Sequence, residues 1–141
     1  MIEVLDETRR YPRPEALAAA LERLMAALGA QGELTLVLVD DAGIRRLNLA
    51  HRSLDEPTDV LSYPLREPDD VGMPETGFLG DIFVSLDTAA RQAPQHGPDL
   101  EGEVKVLAAH GLMHLLGHDH ETEAAWCDFE NAQRLVLEPN P

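Results

Sequence analysis

His110-Gly111-Leu112-Met113-His114-Leu115-Leu116-Gly117-His118-Asp119-His120 is the stretch on which the reading of this chain turns. Read as the end of a helix, it stacks His110 and His114 on one face. Four residues advance ~6 Å along the axis and bring the second ring to within roughly 40° of the first. Two imidazoles so placed can reach one ion. Gly117 suits the left-handed turn that ends a helix, and that turn lets His120 return toward the same point. Three neutral imidazoles leave a fourth tetrahedral position for water, the open arrangement of a catalytic zinc. A lone histidine on a helix is ordinarily a core or surface residue, but four of this chain's six fall within residues 110–120. The expected ligands are therefore His110, His114 and His120, with about one zinc per chain. Imidazole suits nickel and copper as well, so the identity of the divalent ion stays open. His118, beside the turn, reads as a surface residue.

Upstream of the histidines, Asp99 can cap the helix that carries them, with Leu100, Val104, Leu107 and Ala108 on its apolar face. Leu112, Met113, Leu115 and Leu116 continue the burial. Downstream, a last helix over about 121–137 should pack Trp126, Phe129 and Val136. Toward the N-terminus, residues 2–5 read as a short strand. Leu17, Leu21, Leu24, Met25 and Leu28 recur at helical spacing after Pro14, which suits a first helical turn. Leu34 to Val39 is almost wholly apolar, as in a strand covered on both faces. Asp40 or Asp41 can cap a second helix, with Ile44 and Leu47 inward, running to about His51. Asp59 to Tyr63 reads as a strand stopped by Pro64, and 65–77 as a mobile acidic loop. Phe78 to Leu86 is the next strand. Ser85 or Asp87 can cap a short helix to about Gln95, and Gln95-His96-Gly97-Pro98 links it to the histidine helix. The expected fold is α/β (α+β): a single domain over residues 1–141, with five helices and one mixed, mostly parallel sheet of about four strands, in the order βαβαββααα.

A chain of 141 residues is long enough for one domain with a core. At 44% hydrophobic residues it is not a disordered chain. No apolar run reaches the ~18 residues of a membrane span, and the N-terminus lacks a secretory pattern. A single cysteine, Cys127, fits a reducing compartment and a cytoplasmic protein. The net charge of −15 counts against a protein that coats itself in nucleic acid. Against it stands one local feature: Arg45, Arg46 and Arg52 lie close together, and arginine suits bidentate phosphate contacts.

The spacing His-x-x-x-His-x-x-Gly-x-x-His is shared with metzincin proteases, which carry a glutamate base directly after the first histidine and a methionine turn after the third. Here the first position is Gly111, and no methionine follows Met113. The zinc scaffold is present and the protease's base is not.

Four ordered segments together resemble the YbeY family of bacterial endoribonucleases and ribosomal RNA maturation factors. Leu47-Asn48 with His51-Arg52 is similar to that family's Leu-Asn…Tyr-Arg. Pro57-Thr58-Asp59-Val60-Leu61-Ser62-Tyr63-Pro64 is similar to its Pro-Thr-Asp-Val-Leu-Ser-Phe-Pro, and Leu79-Gly80-Asp81-Ile82 to its Leu-Gly-Asp-Ile strand. The histidine stretch is similar to its His-Gly-x-Leu-His-Leu-x-Gly-Tyr-Asp-His. His51, Met113 and His118 depart from the pattern without removing a ligand.

The resemblance implies a zinc-dependent, single-strand-specific endoribonuclease acting in 3′-end maturation of small-subunit ribosomal RNA and in ribosome quality control. It implies His110, His114 and His120 as ligands and Arg52 as the active-site cation. Its substrate would be single-stranded RNA, namely ribosomal RNA within ribosomal particles, with a ribosomal protein or an assembly GTPase as candidate partners. Zinc can bring a bound water's pKa to about 7 or polarise a phosphoryl oxygen, and a guanidinium pairs with non-bridging phosphate oxygens. Thr58, Asp59 and Ser62 read as capping and hydrogen-bonding residues, Gly80 as a site of close backbone approach, and Asp81 as a candidate partner for a ligand histidine. Two other classes fit the same residues: a zinc hydrolase of a small molecule, and a ribosome-assembly binding module with a structural metal.

Overall fold

The computed structural model describes residues 2–64, 78–96, 99–117 and 123–138. The loop expected over 65–77 therefore lies outside the described residues, as do 97–98 of the linker and 121–122 of the last helix. The expected packing of the Trp126 side chain lies outside the description too. The elements follow the expected order: β1 (Ile2–Asp6), α1 (Pro14–Ala27), β2 (Glu33–Val39), α2 (Asp41–Arg52), β3 (Val60–Pro64), β4 (Phe78–Ser85), α3 (Leu86–His96), α4 (Leu100–Leu115) and α5 (Glu123–Leu137). They form one four-stranded sheet in the order β1-β2-β4-β3. β1, β2 and β4 are parallel, and β3 runs antiparallel to β4 at the edge. Pro64 is the last residue of β3 rather than the residue that halts it. An edge strand tolerates a residue without an N–H.

The two periodicities of the sequence meet in this sheet. Alternation along β2 sends Leu34, Leu36 and Leu38 into the larger core, with Leu17, Leu21 and Leu24 of α1 and Val104, Ala108 and Leu112 of α4. Val37 and Val39 face the other way, into a smaller cluster with Ile44 of α2 and Leu61 of β3, flanked by Leu47, Tyr63 and Phe83. Both faces of β2 are thus covered, as its continuous apolar run requires. α1, α3, α4 and α5 share one face, where Phe129 and Val136 of α5 are buried. Among the described residues, α2 alone covers the other. No helix among them is long and apolar enough to cross a membrane.

Helix starts follow the capping logic. Asp40 accepts from the Gly43 N–H at 2.7 Å, and Asp99 from the Gly102 N–H at 2.8 Å. Ser85 Oγ accepts from the Thr88 N–H at the start of α3. That helix runs on to His96 with Pro94 in its last turn, so Gln95 and His96 belong to a helix rather than to the linker.

At the ends of β2 and β4 the chain departs to opposite faces, the crevice where α/β sheets commonly bind ligands. Here side chains fill it. Asp41 accepts from Ser85 Oγ and Thr88 Oγ1, both at 2.7 Å, and pairs with Arg91 at 2.8 Å. Asp87 accepts the Asp41 N–H at 2.9 Å and pairs with Arg10 at 2.8 Å. These groups satisfy one another.

Candidate active site

The histidines are positioned by two close approaches of backbone to backbone. At Gly111 of α4, a Cβ would lie 2.8 Å from Ile82 Cγ2 and 3.1 Å from Ser62 Oγ. The helix therefore rests directly on β3 and β4, and Ser62 Oγ donates to the Gly111 carbonyl at 3.2 Å. This is why the protease's glutamate is missing: the position after the first histidine has no room for any side chain. At Gly80 a Cβ would meet the Tyr63 carbonyl oxygen at 2.3 Å and Leu115 Cδ2 at 3.1 Å. Its φ of +146° is also one that side-chain-bearing residues rarely adopt. The close approach expected at Gly80 is thus present, and it seats β4 against both the edge strand and the end of α4.

His110 and His114 lie on one face of α4, as their spacing requires. Both rings lean on Phe129 of α5, with centroid separations of 5.5 and 5.3 Å. Phe129 is buried, so it fixes the two imidazoles relative to each other. One turn further along α5, the Gln133 side-chain Nε2 meets His110 Nε2. This contact holds the orientation of the His110 ring. Gly117, at φ +89°, begins the turn after the helix. His118, Asp119 and His120 lie outside the described residues, so two of the three expected ligands are brought together here. Among the described residues no group of three or more ligand-type side chains converges. Two imidazoles on one face of a helix are donors of a type that suits a divalent ion.

Arg52 occupies the last position of α2, exposed, and its charge is felt by the Tyr63 hydroxyl. Burial pushes the Tyr63 pKa up, and Arg52 pulls against that rise. Ser62 faces α4 while Leu61 and Tyr63 face α2, so the edge strand β3 stands between Arg52 and the histidines. His51 lies against Tyr63 at 4.6 Å between ring centroids, packing as an aromatic ring would. Asp81 alternates with Gly80 and Ile82 and so belongs to the α2 face. That face is opposite His110 and His114, so Asp81 is not a neighbour of those two rings, while His120 lies outside the described residues. Thr58 Oγ1 and the Val60 N–H both donate to Asp59 Oδ1, the capping role expected of this segment. Arg45 is engaged by Asp55 through two hydrogen bonds of 2.7 and 3.1 Å.

Beside His110 the structure contains a cavity of about 390 Å³, with Asp59, Gln92, Glu103, Leu107 and Gln133 among its walls. Glu103, only 1% exposed, sits on the same stripe of α4 as His110, seven residues earlier. These residues were not among the expected site residues. The available signal was a glutamate at helical spacing from the histidines on an otherwise apolar face.

Comparison with known proteins bears on this arrangement. The family model described as Endoribonuclease YbeY matches residues 5–140. A protein of that name from Moorella thermoacetica is 46% identical over 138 residues, covering 90% of this chain and 88% of its own length. Another, from Thermus thermophilus, is 46% identical over 143 residues, covering 97% and 99%. The solution structure of TM1509 from Thermotoga maritima superposes with a TM-score of 0.68 at 28% identity, over 96% of this chain and 89% of that one.

Proposed function

The chain belongs to the Endoribonuclease YbeY family, and from that premise we propose that it is a metal-dependent, single-strand-specific endoribonuclease acting on ribosomal RNA in the cytoplasm, in small-subunit 3′-end maturation and ribosome quality control. The observation that carries this reading is the pairing of His110 and His114 on one face of α4, in a chain matched to the family over residues 5–140. In this proposal His110, His114 and His120 hold one zinc or related divalent ion. When bound there, the ion supplies Lewis acidity toward water and toward a phosphoryl oxygen.

The chain's own groups do the rest. Phe129 and Gln133 hold the His110 ring oriented. Arg52 binds and stabilises the non-bridging oxygens, on which charge builds as a phosphodiester is hydrolysed. Because β3 stands between Arg52 and the histidines, a single strand would cross the rim of β3 to meet both. A duplex is too stiff and broad to fold over such an edge, which favours single-stranded substrate.

The net charge of −15 opposes RNA over most of the surface. Free RNA should therefore bind weakly and with steep salt dependence. A ribosomal particle, with a ribosomal protein or assembly GTPase as docking partner, would present the substrate. The test is elemental analysis and cleavage of a single-stranded ribosomal RNA fragment by the purified chain, beside His114→Ala. About one metal per chain with cleavage is expected, and both should be lost in the variant. Full metal content in a His110→Ala/His114→Ala double variant, or cleavage independent of metal, would refute the reading.

A further inference from the structure

Three rings climb from the α2 face of the sheet to the surface. Phe83 of β4 and Tyr63 of β3 pack against the smaller core cluster. Tyr63 meets Phe83 edge-on at 5.6 Å between ring centroids, and His51 of α2 lies against Tyr63 at 4.6 Å with the planes 48° apart. The two lower rings are half-buried, and His51 is exposed. Among the described side chains, only His51 and His114 present an exposed aromatic or imidazole ring, and His114 belongs to the expected metal site.

The place of this ring matters as much as its exposure. It stands beside Arg52 in the last turn of α2. Both side chains flank Tyr63: the His51 ring touches it, and the Arg52 charge reaches its hydroxyl. A surface histidine is ordinarily a solvated, mobile side chain. Here two rings back it, so the entropy of fixing it is already lost on folding, and its outer side is left for a flat ligand.

We propose that His51 is a nucleobase platform: one base of the RNA stacks on its exposed ring while a phosphate next to that base sits at Arg52. The inference rests on the endoribonuclease reading for its choice of ligand. Arg52 alone would hold any anion. A flat ring beside a cation is complementary to a single nucleic-acid strand, whose bases can splay out and whose backbone carries the charge. A duplex keeps its bases stacked on one another and hides their faces, so the platform adds a second reason for single-stranded substrate. Stacking tolerates any sequence, since every base has a π-face. The platform therefore raises affinity for single strands without choosing among bases.

The test is fluorescence anisotropy on the full chain with a single RNA strand of about ten nucleotides, joined by cleavage-resistant phosphorothioate linkages. An abasic chain of the same length and charge is the comparison, and low salt keeps the phosphate contacts strong. The wild type should bind the RNA at least about 5-fold tighter than the abasic chain. His51→Ala should weaken RNA binding by roughly 5- to 10-fold, the lower end of what one lost stack costs, and change abasic binding by less than about twofold. His51→Phe keeps the flat ring without the imidazole nitrogens and should bind RNA within about twofold of the wild type. The thermal midpoint, recorded on each sample, separates loss of the platform from loss of the fold. RNA bound no tighter than the abasic chain would overturn the proposal in the wild-type chain alone. Equal losses on both ligands in folded His51→Ala, or no rescue by folded His51→Phe, would make His51 a polar contact and overturn it as well. Cleavage assays separate this inference from its premise. Base-dependent binding that needs the ring at position 51, with no single-stranded RNA cleaved, would sink the nuclease reading and leave the platform. Single-stranded RNA bound and cleaved by His51→Ala as well as by the wild type would sink the platform and leave the nuclease.

Discussion

Gly111→Ala tests the claim that the histidine helix is held by backbone contact with the sheet. On helix propensity alone, alanine in a helix interior stabilises by ~0.8–1 kcal/mol over glycine. The structure predicts the opposite sign. The new methyl would sit 2.8 Å from Ile82 Cγ2 and 3.1 Å from Ser62 Oγ. Ile82 is fully buried and lies between Leu36 of β2 and Ser62 of β3 in the sheet, so it has little freedom to yield. Overpacking of this kind typically costs ~1–3 kcal/mol, and displacing α4 also strains the Ser62–Gly111 hydrogen bond, worth roughly 0.5–1.5 kcal/mol. After the propensity gain is set against these terms, the expected net loss is about 1–2 kcal/mol. In urea unfolding this lowers the midpoint by roughly 0.5–1 M with an unchanged slope. Metal affinity should fall as well, because His110 and His114 ride on the displaced turn. In an Ile82→Ala background the same substitution should be neutral or stabilising, since the methyl then has somewhere to go. A midpoint that rises in the wild-type background would refute the contact, and with it the explanation for the missing glutamate.

Removing either helix cap, Asp40→Ala or Asp99→Ala, should cost ~1 kcal/mol in urea unfolding, because each carboxylate satisfies an orphan N–H of a first turn. Burial alone would raise the pKa of Asp41, but hydrogen bonds from Arg91, Ser85 and Thr88 outweigh it and hold the group below its ordinary value of 3.8. A carboxyl depressed in the folded state contributes stability that is complete above its unfolded pKa and is lost as pH falls through the folded one. The wild type should therefore lose more stability between about pH 5 and pH 2 than Asp41→Asn does, and equal losses would remove Asp41 from the account. Arg52→Ala should change stability by less than ~1 kcal/mol, being an exposed helix-end substitution, yet slow RNA cleavage by ~100- to 1,000-fold. Arg52→Lys should rescue only part of this, and near-normal cleavage by a folded, metal-loaded Arg52→Ala would end the catalytic assignment.

Most of the fold was legible because the chain is locally consistent. Leu17, Leu21 and Leu24 carry a helical period, Leu34 to Val39 an unbroken strand run, and Asp40 and Asp99 stand where capping carboxylates are needed. The strand order was not legible, since β3 and β4 follow each other in sequence while β4 inserts beside β2. That choice is made by packing on both faces of the sheet. The histidine pair was readable from spacing, whereas the wall behind it was not. Phe129 and Gln133 come from α5, and no local pattern says that their turn lies against His110. Gly111 could be read only as the absence of a base. Its positive role, allowing a helix to touch a strand, depends on Ile82, which lies 29 positions earlier in the sequence. Nor does a sequence pattern say which face of the sheet a strand residue joins: Asp81, a candidate partner for a ligand histidine, stands on the α2 side, away from His110 and His114.

The charge balance sharpens the assignment of Arg52. With 26 acidic residues against 11 basic ones, an arginine in this chain meets a carboxylate more readily than not. Arg10, Arg13, Arg45 and Arg91 are each taken up by a carboxylate within 2.8 Å. The cluster suggested by Arg45, Arg46 and Arg52 is therefore weaker than its spacing implies, because Arg45 is already turned toward Asp55. Arg52 forms no ion pair among the described residues, although it closes a helix whose exposed face carries further charge. With no carboxylate paired to it among the described residues, its charge is not offset by any of them. A surface pair such as Arg45–Asp55 contributes little to stability, and here it also withdraws a competing cation. On the proposed function, Arg52 and not Arg45 would then be the cation offered to an anionic strand.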